Sequence, residues 1–219
     1  MTLTKLGDFF KPEEFHDAVH IVGCGSVGST LAEHLARYGI QRFVLYDFDK
    51  VESKNIHNQI FFQHSVGLPK THEVEKLIKD VNQEAQVKKF DNGWTGQNMT
   101  GYVFLCVDSI EIRKQIVAQL KGNMLVKGVF DVRTGMKDAQ SYATDWHDQK
   151  AVANLIRSMD FTSADVQTVT SACGTELNVV TTIRLICDLT VSNFINFVNH
   201  GTYHKYMESN IDPLSVTLV

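Results

Sequence analysis

Hydrophobic and polar residues alternate along the chain in blocks that predict strands and helices in turn. Short continuous apolar runs are typical of buried parallel strands. Between these runs, apolar residues recur every three or four positions, which is the spacing of an amphipathic helix packed on a sheet. The pattern predicts strands over 19–22, 43–46, 86–90, 102–107, 124–129 and 139–143, and helices over 27–38, 69–81, 112–120, 147–159 and 173–198.

Strands that alternate with helices indicate a doubly wound, Rossmann-like α/β fold with a mainly parallel sheet and a long C-terminal helix. The length of 219 residues fits one large domain, or a domain with a short appendage. The last helix carries apolar residues over a wide arc, which one face of a sheet is not expected to cover alone. We therefore expect this helix to pack also on the second subunit of a homodimer.

A glycine-rich segment, GCGSVG at 23–28, joins the first strand to the first helix. Its G-x-G-x-x-G spacing is that of a nucleotide-binding turn. Gly23 would make the tight turn, Gly25 would let phosphate oxygens approach the backbone, and Gly28 would let the helix pack closely on the strand. The helix N-terminus would then face a phosphate, because its unpaired amides and its dipole favour an anion.

Asp47 follows the second strand, about 20 residues beyond the turn, where a carboxylate can bind a ribose hydroxyl. A G-x-G-x-x-G segment can also arise by chance as a plain glycine-rich turn. That alternative leaves Asp47 without a role, so we favour a nucleotide site. The turn and Asp47 alone would also permit a nicotinamide-dependent oxidoreductase.

Charge and composition argue against several classes of function. A net charge of -4, without a cluster of basic residues, predicts no binding of nucleic acid or of an anionic membrane. The longest apolar segment, 179–198, contains Arg184 and Asp188, which is unfavourable for a membrane span. Residues 1–10 lack the apolar core of a secretory signal, so we expect a cytoplasmic protein. The 4 cysteines form no C-x-x-C pair and predict neither a disulfide framework nor a zinc site.

The loop after the second strand carries a longer motif than a generic dinucleotide fold requires. It reads DFDKVESKNIHNQ over 47–59 and is followed by GLPK at 67–70. The motif resembles that of the ThiF/MoeB and ubiquitin-activating-enzyme family of adenylating enzymes, roughly D-x-D-x-V-x-x-S-N-x-x-R-Q and then G-x-x-K. The resemblance covers about residues 18–199. It implies a ThiF-like nucleotide-binding adenylation domain over 1–199, with 200–219 as a loose or strand-like C-terminal tail.

The resemblance also implies that the nucleotide is ATP, bound with magnesium. The residues that it assigns to the nucleotide are Gly23, Gly25, Gly28, Asp47, Asp49, Asn55, Gln59 and Lys70. Asn55, Gln59 and Lys70 would contact the polyphosphate, although Lys70 alone would be taken as a solvated side chain. Asp108 would bind magnesium, which prefers hard oxygen ligands. Asp108 and Ser109 could instead cap the following helix, and both roles can hold together.

Two arginines of the family pattern are missing. Asn58 stands where the family carries an arginine that helps to hold the triphosphate. No arginine precedes Arg37, although family members often place one near the N-terminus that reaches the neighbouring subunit's ATP. The segment DVRTG at 131–135 is similar to a subset of ThiF-like proteins from phages and bacterial gene clusters. Arg133 could supply the missing charge, although an ion pair with a nearby aspartate is the more common arrangement.

The resemblance implies an adenylyltransferase. The C-terminal carboxylate of a ubiquitin-like or sulfur-carrier-like protein, or of a peptide, would attack the α-phosphate of ATP, and pyrophosphate would leave. Lys70 and Asp108 would act by positioning and by neutralising charge. The missing arginines leave a second hypothesis open, a degenerate nucleotide-binding homologue that acts without catalysis as a partner in a complex. The oxidoreductase is the weakest hypothesis, because it gives no role to the motif over 55–70.

Cys173 lies at the predicted start of the long C-terminal helix. A helix N-terminus lowers the pKa of a thiol, and the thiolate is a nucleophile. In the resembled family, the region that corresponds to residues 145–172 is a crossover loop, and some members transfer the acyl group to a cysteine of that loop. A lone cysteine is more often a small buried hydrophobic residue. Cys173 is therefore either a catalytic nucleophile or a packing residue at the helix start.

Overall fold

The computed structural model describes residues 6–165, 169 and 177–219, which form one eight-stranded sheet with helices on both faces. The strands are β1 (Val19–Val22), β2 (Arg42–Tyr46), β3 (Gln86–Phe90), β4 (Gly101–Leu105), β5 (Val126–Thr134), β6 (Asp138–Asp145), β7 (Tyr206–Ile211) and β8 (Leu214–Leu218). The helices are α1 (Ser26–Arg37), α2 (Lys70–Val81), α3 (Ile110–Leu120), α4 (Gln149–Ser158) and α5 (Val180–His200). Short 3-10 turns occur at Pro12–Glu14, Ser53–Asn55, Gln63–Ser65 and Ser163–Asp165.

The strand order is β3-β2-β1-β4-β5-β6-β7-β8. The first five strands in this order run parallel, and β6, β7 and β8 continue the sheet in antiparallel pairs. Val22, the last residue of β1, lies between Tyr46 of β2 and Leu105 of β4. The predicted mainly parallel, Rossmann-like sheet is confirmed, and the carboxyl ends of β1, β2 and β4 meet at one edge.

Two hydrophobic cores cover the two faces of the sheet. Neighbouring β1 residues point to opposite faces, so that Ile21 belongs to one core and Val22 to the other. The first core holds the apolar stripes of α1, α2 and α5, and the second holds those of α3 and α4. Strands buried on both faces need continuous apolar runs, which is why the strand pattern was readable from the sequence.

The long C-terminal helix starts later than predicted. Val179 has extended backbone angles, and the helix begins at Val180 rather than near residue 173. Its wide apolar arc is covered within the chain, because α5 packs on α1 as well as on the sheet. Cys187 contacts the carbonyl of Val27, and Arg184 pairs with Glu33 at 3.5 Å. The second surface is therefore α1, and the arc gives no argument for a second subunit.

The C-terminal residues adopt the strand-like alternative. Both β7 and β8 extend the sheet in antiparallel fashion, and β8 is its last strand. Leu214, Val216 and Leu218 of β8 are exposed. In the described ranges, no helix is long and apolar enough to cross a membrane.

The fifth strand is longer than predicted. It continues beyond residue 129 to Thr134 and therefore contains Asp131 and Arg133, which were expected to follow the strand. Asp131 is fully buried yet pairs with Arg133 at 2.5 Å. Mutual charge compensation lets both residues occupy a strand that their polarity alone would argue against.

Candidate nucleotide-binding site

The glycine turn after β1 leaves no room for side chains at two of its three glycines. Gly23 has φ +93°, and a Cβ built there would lie 2.8 Å from the carbonyl carbon of Cys106. A Cβ on Gly28 would lie 1.8 Å from the carbonyl oxygen of Gly23. Gly23 thus allows β1 and the end of β4 to meet, and Gly28 allows α1 to start directly against the turn.

Gly25 differs from these two glycines because it faces open space. A Cβ built on it would meet one atom within 4 Å of the described chain, Nε2 of Gln59, at 4.0 Å. Gly25 is also the N-cap of α1, whose first amides have no intrahelical acceptor. The opening at Gly25 is therefore lined by backbone donors on one side and by the Gln59 amide on the other.

Gln59 carries a buried polar atom with an unmet hydrogen-bonding need. Its Oε1 has no hydrogen-bond partner among the described residues. A buried amide oxygen left in this state is costly, so its pairing with a ligand would be favourable. Oε1 can accept only from a donor such as a ligand hydroxyl, whereas Nε2 of the same amide, next to the open glycine, can donate to a phosphate oxygen. The open glycine and this amide therefore fit a polar, phosphate-bearing ligand.

Asp47 ties the glycine turn to β2. Its Oδ2 accepts a hydrogen bond from the amide of Cys24 at 2.6 Å, and its Oδ1 accepts one from the amide of Asp49 at 2.7 Å. Burial raises the pKa of the Asp47 carboxyl above its usual value, and the two amide hydrogen bonds oppose that rise. A carboxylate has about four lone-pair sites, so Asp47 can still accept from a ribose hydroxyl.

Lys70 is held next to the loop that follows β2 by a local bridge between Lys50 and Pro69. Its amide donates to the carbonyl of Asp49 at 3.0 Å, and its Nζ lies 2.8 Å from Oδ2 of Asp49. The Lys70 side chain is buried, whereas that of Asp49 is half exposed. The ammonium is thus held at the site but shares its charge with a carboxylate.

Asn55 folds the loop that carries Gln59. Its Oδ1 accepts from the amide of Glu52 at 2.8 Å, and its carbonyl accepts from the amide of Gln59 at 2.9 Å. This geometry makes Asn55 a structural residue of the loop. Its predicted contact with the polyphosphate stays a prediction. Asn58, the residue in place of the family arginine, is partly buried in the same loop.

Asp108 is exposed just beyond the end of β4. Its Oδ1 accepts from the amide of Ser109 at 2.8 Å, while Ser109 caps α3 by accepting from the amide of Ile112 at 3.2 Å. Ser109 is thus the helix cap, and Asp108 lies at the edge where open α/β sheets bind ligands. The described ranges contain no group of three acidic, histidine or cysteine residues that could hold a metal ion by themselves. Magnesium at Asp108 would need phosphate oxygens as further ligands, which is its usual arrangement.

The chain matches the ThiF family over residues 14–208, nearly its whole length. It belongs to the ThiF family. The resemblance noted in the motif over 47–70 is thereby confirmed.

Curated relatives of this ThiF-family chain include ubiquitin-like modifier-activating enzyme 5 of Branchiostoma floridae. It is 34% identical over 136 residues, which cover 53% of this chain and 33% of the relative. The Gallus gallus protein of the same name is 42% identical over 90 residues, covering 39% of this chain and 22% of the relative. The match thus spans a third or less of these relatives.

Solved structures of the same fold include the crystal structure of E. coli MccB with ATP, with a TM-score of 0.70 and 16% identity. That match covers 97% of this chain and 64% of MccB. The structure of PaaA has a TM-score of 0.71 and 15% identity, covering 93% of this chain and 64% of PaaA. At these identities the likeness establishes the fold.

Arg113 is a residue near this site that was not predicted from the sequence. Arg113 of α3 is buried and contacts Asp131 of β5, which also pairs with Arg133. The charge of Arg133 is thus paired with that of Asp131. The available signal was that Arg113 lies one helical turn before the buried Ile116, on the apolar face of α3.

The cysteines near the turn are not poised as nucleophiles. Burial raises the pKa of Cys106 to about 12 and raises that of Cys24 as well. Cys173 lies outside the described residues. The reason for expecting an activated thiol there was wrong in one respect, because the long helix that it was expected to open begins at Val180.

Proposed function

We propose that this ThiF-family protein is an ATP-dependent adenylyltransferase that activates the C-terminal carboxylate of a ubiquitin-like protein or peptide. The observation that carries the proposal is the open amide turn at Gly25, where Nε2 of Gln59 is the one described atom within 4 Å of a Cβ built on the glycine, at 4.0 Å. The family match and the similarity to modifier-activating enzymes support the same function.

ATP would lie along the carboxyl edge of β2, β1 and β4. The ribose would lie at Asp47, and the phosphates at the amides that follow Gly25, next to Gln59 and Lys70. Asp108 would hold magnesium, which supplies charge neutralisation on the phosphate oxygens when bound. Lys70 would add a positive charge once its pair with Asp49 opens or is shared.

The reaction is a displacement at phosphorus. A carboxylate oxygen of the substrate forms a bond to the α-phosphorus, and the bond from that phosphorus to the bridging oxygen of the β-phosphate breaks. The products are an acyl-adenylate and pyrophosphate, and no proton transfer is required when the acid is ionised. The residues at this site would act by orienting ATP and offsetting its charge, which can account for most of such catalysis.

We expect the nucleotide specificity to depend on Asp108 and on the acidic loop that follows Asp47. We expect ATP with magnesium to bind and NAD not to bind, as measured by calorimetry. Asp108→Ala should remove the magnesium-dependent part of ATP binding, because it deletes the exposed carboxylate at the end of β4. The fold should survive, since Ser109 still caps α3. Tight NAD binding without ATP binding would instead favour the oxidoreductase.

Catalysis itself is tested by exchange of labelled pyrophosphate into ATP. Candidate ubiquitin-like proteins ending in Gly-Gly should stimulate exchange by the wild type, and the same proteins lacking these two residues should not. Lys70→Ala should reduce exchange by about 100-fold or more if Lys70 supplies a charge at the phosphates. Exchange that is undiminished in this variant would remove Lys70 from the mechanism.

A second candidate function has an observation in its favour. Asn58 replaces the family arginine, Arg133 is committed to Asp131, and Lys70 is paired with Asp49. In the part of the chain that the structure describes, the phosphates would therefore meet no arginine from this loop. An arginine at transferred phosphates is worth roughly 1,000-fold or more in rate. A protein that binds ATP tightly but catalyses no exchange would be the non-catalytic partner.

A further inference from the structure

Asp131 lies at the centre of a buried ionic group behind the loop that carries Asp108. It is fully buried on β5, directly opposite Leu105, the last residue of β4. One carboxylate oxygen of Asp131 contacts Arg113, and the other accepts from Nε and Nη2 of Arg133 at 2.8 and 2.5 Å. The carboxylate therefore joins two arginines from different elements.

Arg113 holds the end of β4 in place. Its guanidinium reaches back from α3 and donates to the carbonyl of Leu105 at 3.0 Å and to that of Val107 at 2.8 Å. Val107 lies immediately before Asp108 and Leu105 two residues earlier, while Ser109, the residue after Asp108, is fixed as the cap of α3. The position of the Asp108 backbone is thus set from both sides.

Arg133 extends the group to the end of α4. Its Nη1 donates to the carbonyl of Ser158 at 2.8 Å, and its Nη2 donates to the Ser158 hydroxyl at 3.0 Å. The guanidinium also stacks on Tyr142, 4.6 Å from the ring centre. A cation at the last carbonyls of a helix is favourable, so Arg133 is held firmly and in turn orients Asp131.

Stability alone is a poor reason for such a group. Two arginines and an aspartate lose much of their hydration on burial, and well-packed apolar residues often stabilise a fold at least as well as buried ion pairs. Directed hydrogen bonds do what apolar packing cannot, which is to fix carbonyls and a loop in one orientation.

We infer that Asp131 is a positioning residue of the proposed nucleotide site. Through Arg113 it fixes the loop after β4, so that Asp108 presents its carboxylate toward magnesium-bound ATP. This inference rests on the proposed function. It adds a residue that touches neither nucleotide nor metal and that acts through Asp108.

The test measures ATP binding by calorimetry at increasing magnesium concentrations. It compares the wild type, Asp131→Asn, Asp108→Ala and the double variant. Asp131→Asn should raise the magnesium concentration for half-maximal binding by about tenfold, as is common when a residue that orients a metal ligand is lost. In the double variant, Asp131→Asn should add nothing to the loss caused by Asp108→Ala, because both act on one carboxylate.

A matched control removes a charge at the opposite end of the same strands. Asp17 pairs with Lys127 of β5 at 2.8 Å near the start of β4, and Asp17→Asn should leave the magnesium dependence unchanged. Thermal unfolding of each variant shows whether it is folded. If Asp131→Asn does not fold, Arg133→Gln decides, since it keeps the pair between Arg113 and Asp131 and should give a smaller shift in the same direction.

The outcomes separate the two proposals. A folded Asp131→Asn with unchanged magnesium dependence, or losses that add in the double variant, would overturn the positioning role while the nucleotide site stands. Where Asp131→Asn does not fold, an Arg133→Gln variant with the magnesium dependence of the wild type would also overturn the positioning role. A wild type that binds no ATP at any magnesium concentration would overturn the proposed function, and the role of Asp131 with it.

Discussion

Gly28→Ala is expected to lower the melting temperature by roughly 10 °C, corresponding to about 3 kcal/mol for a chain of this size. The new methyl group would lie 1.8 Å from the carbonyl oxygen of Gly23, and neither atom belongs to a flexible side chain. Alanine favours a helix over glycine by only about 1 kcal/mol, so the clash should decide the sign. Thermal unfolding followed by circular dichroism measures the change.

Gly25→Ala is the matched control, with a different expected result. A methyl group at Gly25 has protein atoms no closer than 4.0 Å in the described chain, and its φ of -75° is not in the left-handed region that favours glycine. The melting temperature should stay within about 2 °C of the wild type, since surface changes of this kind are small. ATP binding should be lost, because the methyl group fills the space left for phosphate. Equal destabilisation by both variants would contradict this account of the turn.

Acid is expected to destabilise the protein through His20. This residue is buried on β1, where its Nε2 accepts from the amide of Thr100 at 3.3 Å and its Nδ1 lies 2.9 Å from the hydroxyl of Tyr46. Because Nε2 is the acceptor, the neutral ring carries its proton on Nδ1. Burial, helped by the positive charge of Lys88, lowers the pKa of His20 from 6.5 to about 4.

The direction of the pH effect follows from this lowered pKa. Between pH 6.5 and about 4, the unfolded chain binds a proton at His20 and the folded chain does not. The contribution to stability is therefore complete above pH 6.5 and is lost as the pH falls toward 4, amounting to about 3 kcal/mol. Denaturant unfolding at pH 7 and pH 4 should show this loss in the wild type.

His20→Gln supplies the control for the acid effect. Glutamine offers a donor and an acceptor but does not titrate, so the variant should lose about 3 kcal/mol less than the wild type between the two pH values. Other histidines and the carboxylates contribute equally to both proteins and cancel in the difference. Parallel loss of stability in the two proteins would show that His20 is not the responsible group.

The elements predicted correctly are those with local sequence signals. The glycine turn at 23–28, the strand before it and Asp47 after β2 each depend on nearby residues, and the parallel register then brings them together. The start of α5 was predicted too early because nothing in the sequence marked Val179 as extended. α1 covers part of the apolar arc of α5. This contact joins helices that are far apart in the sequence, so the spacing of apolar residues within one helix does not predict it.

The residues behind the site were harder to predict. Arg113 and Asp131 are charged residues within apolar elements, and each would be unfavourable in its position without the other. Their partnership becomes evident only when β5 pairs with β4, since Asp131 then lies opposite Leu105. Of the two roles considered for Arg133, a charge at the phosphates and an ion pair with a nearby aspartate, the structure shows the ion pair, with Asp131.

The close approach of Gly23 to the backbone of Cys106 also bears on how the chain folds. β1 and β4, which end just before these two residues, are also joined by the hydrogen bond between His20 and Thr100, which are 80 positions apart. Closing the loop between them costs conformational entropy, and a ligand cannot offset this cost before the site has formed. The glycine turn can therefore bind an anion only after β4 has paired with β1. Nucleotide would therefore bind only the folded chain. At a nucleotide concentration of 100 times the dissociation constant, binding would raise the free energy of unfolding by about 2.7 kcal/mol. Proteases that cleave the unfolded chain would then act more slowly.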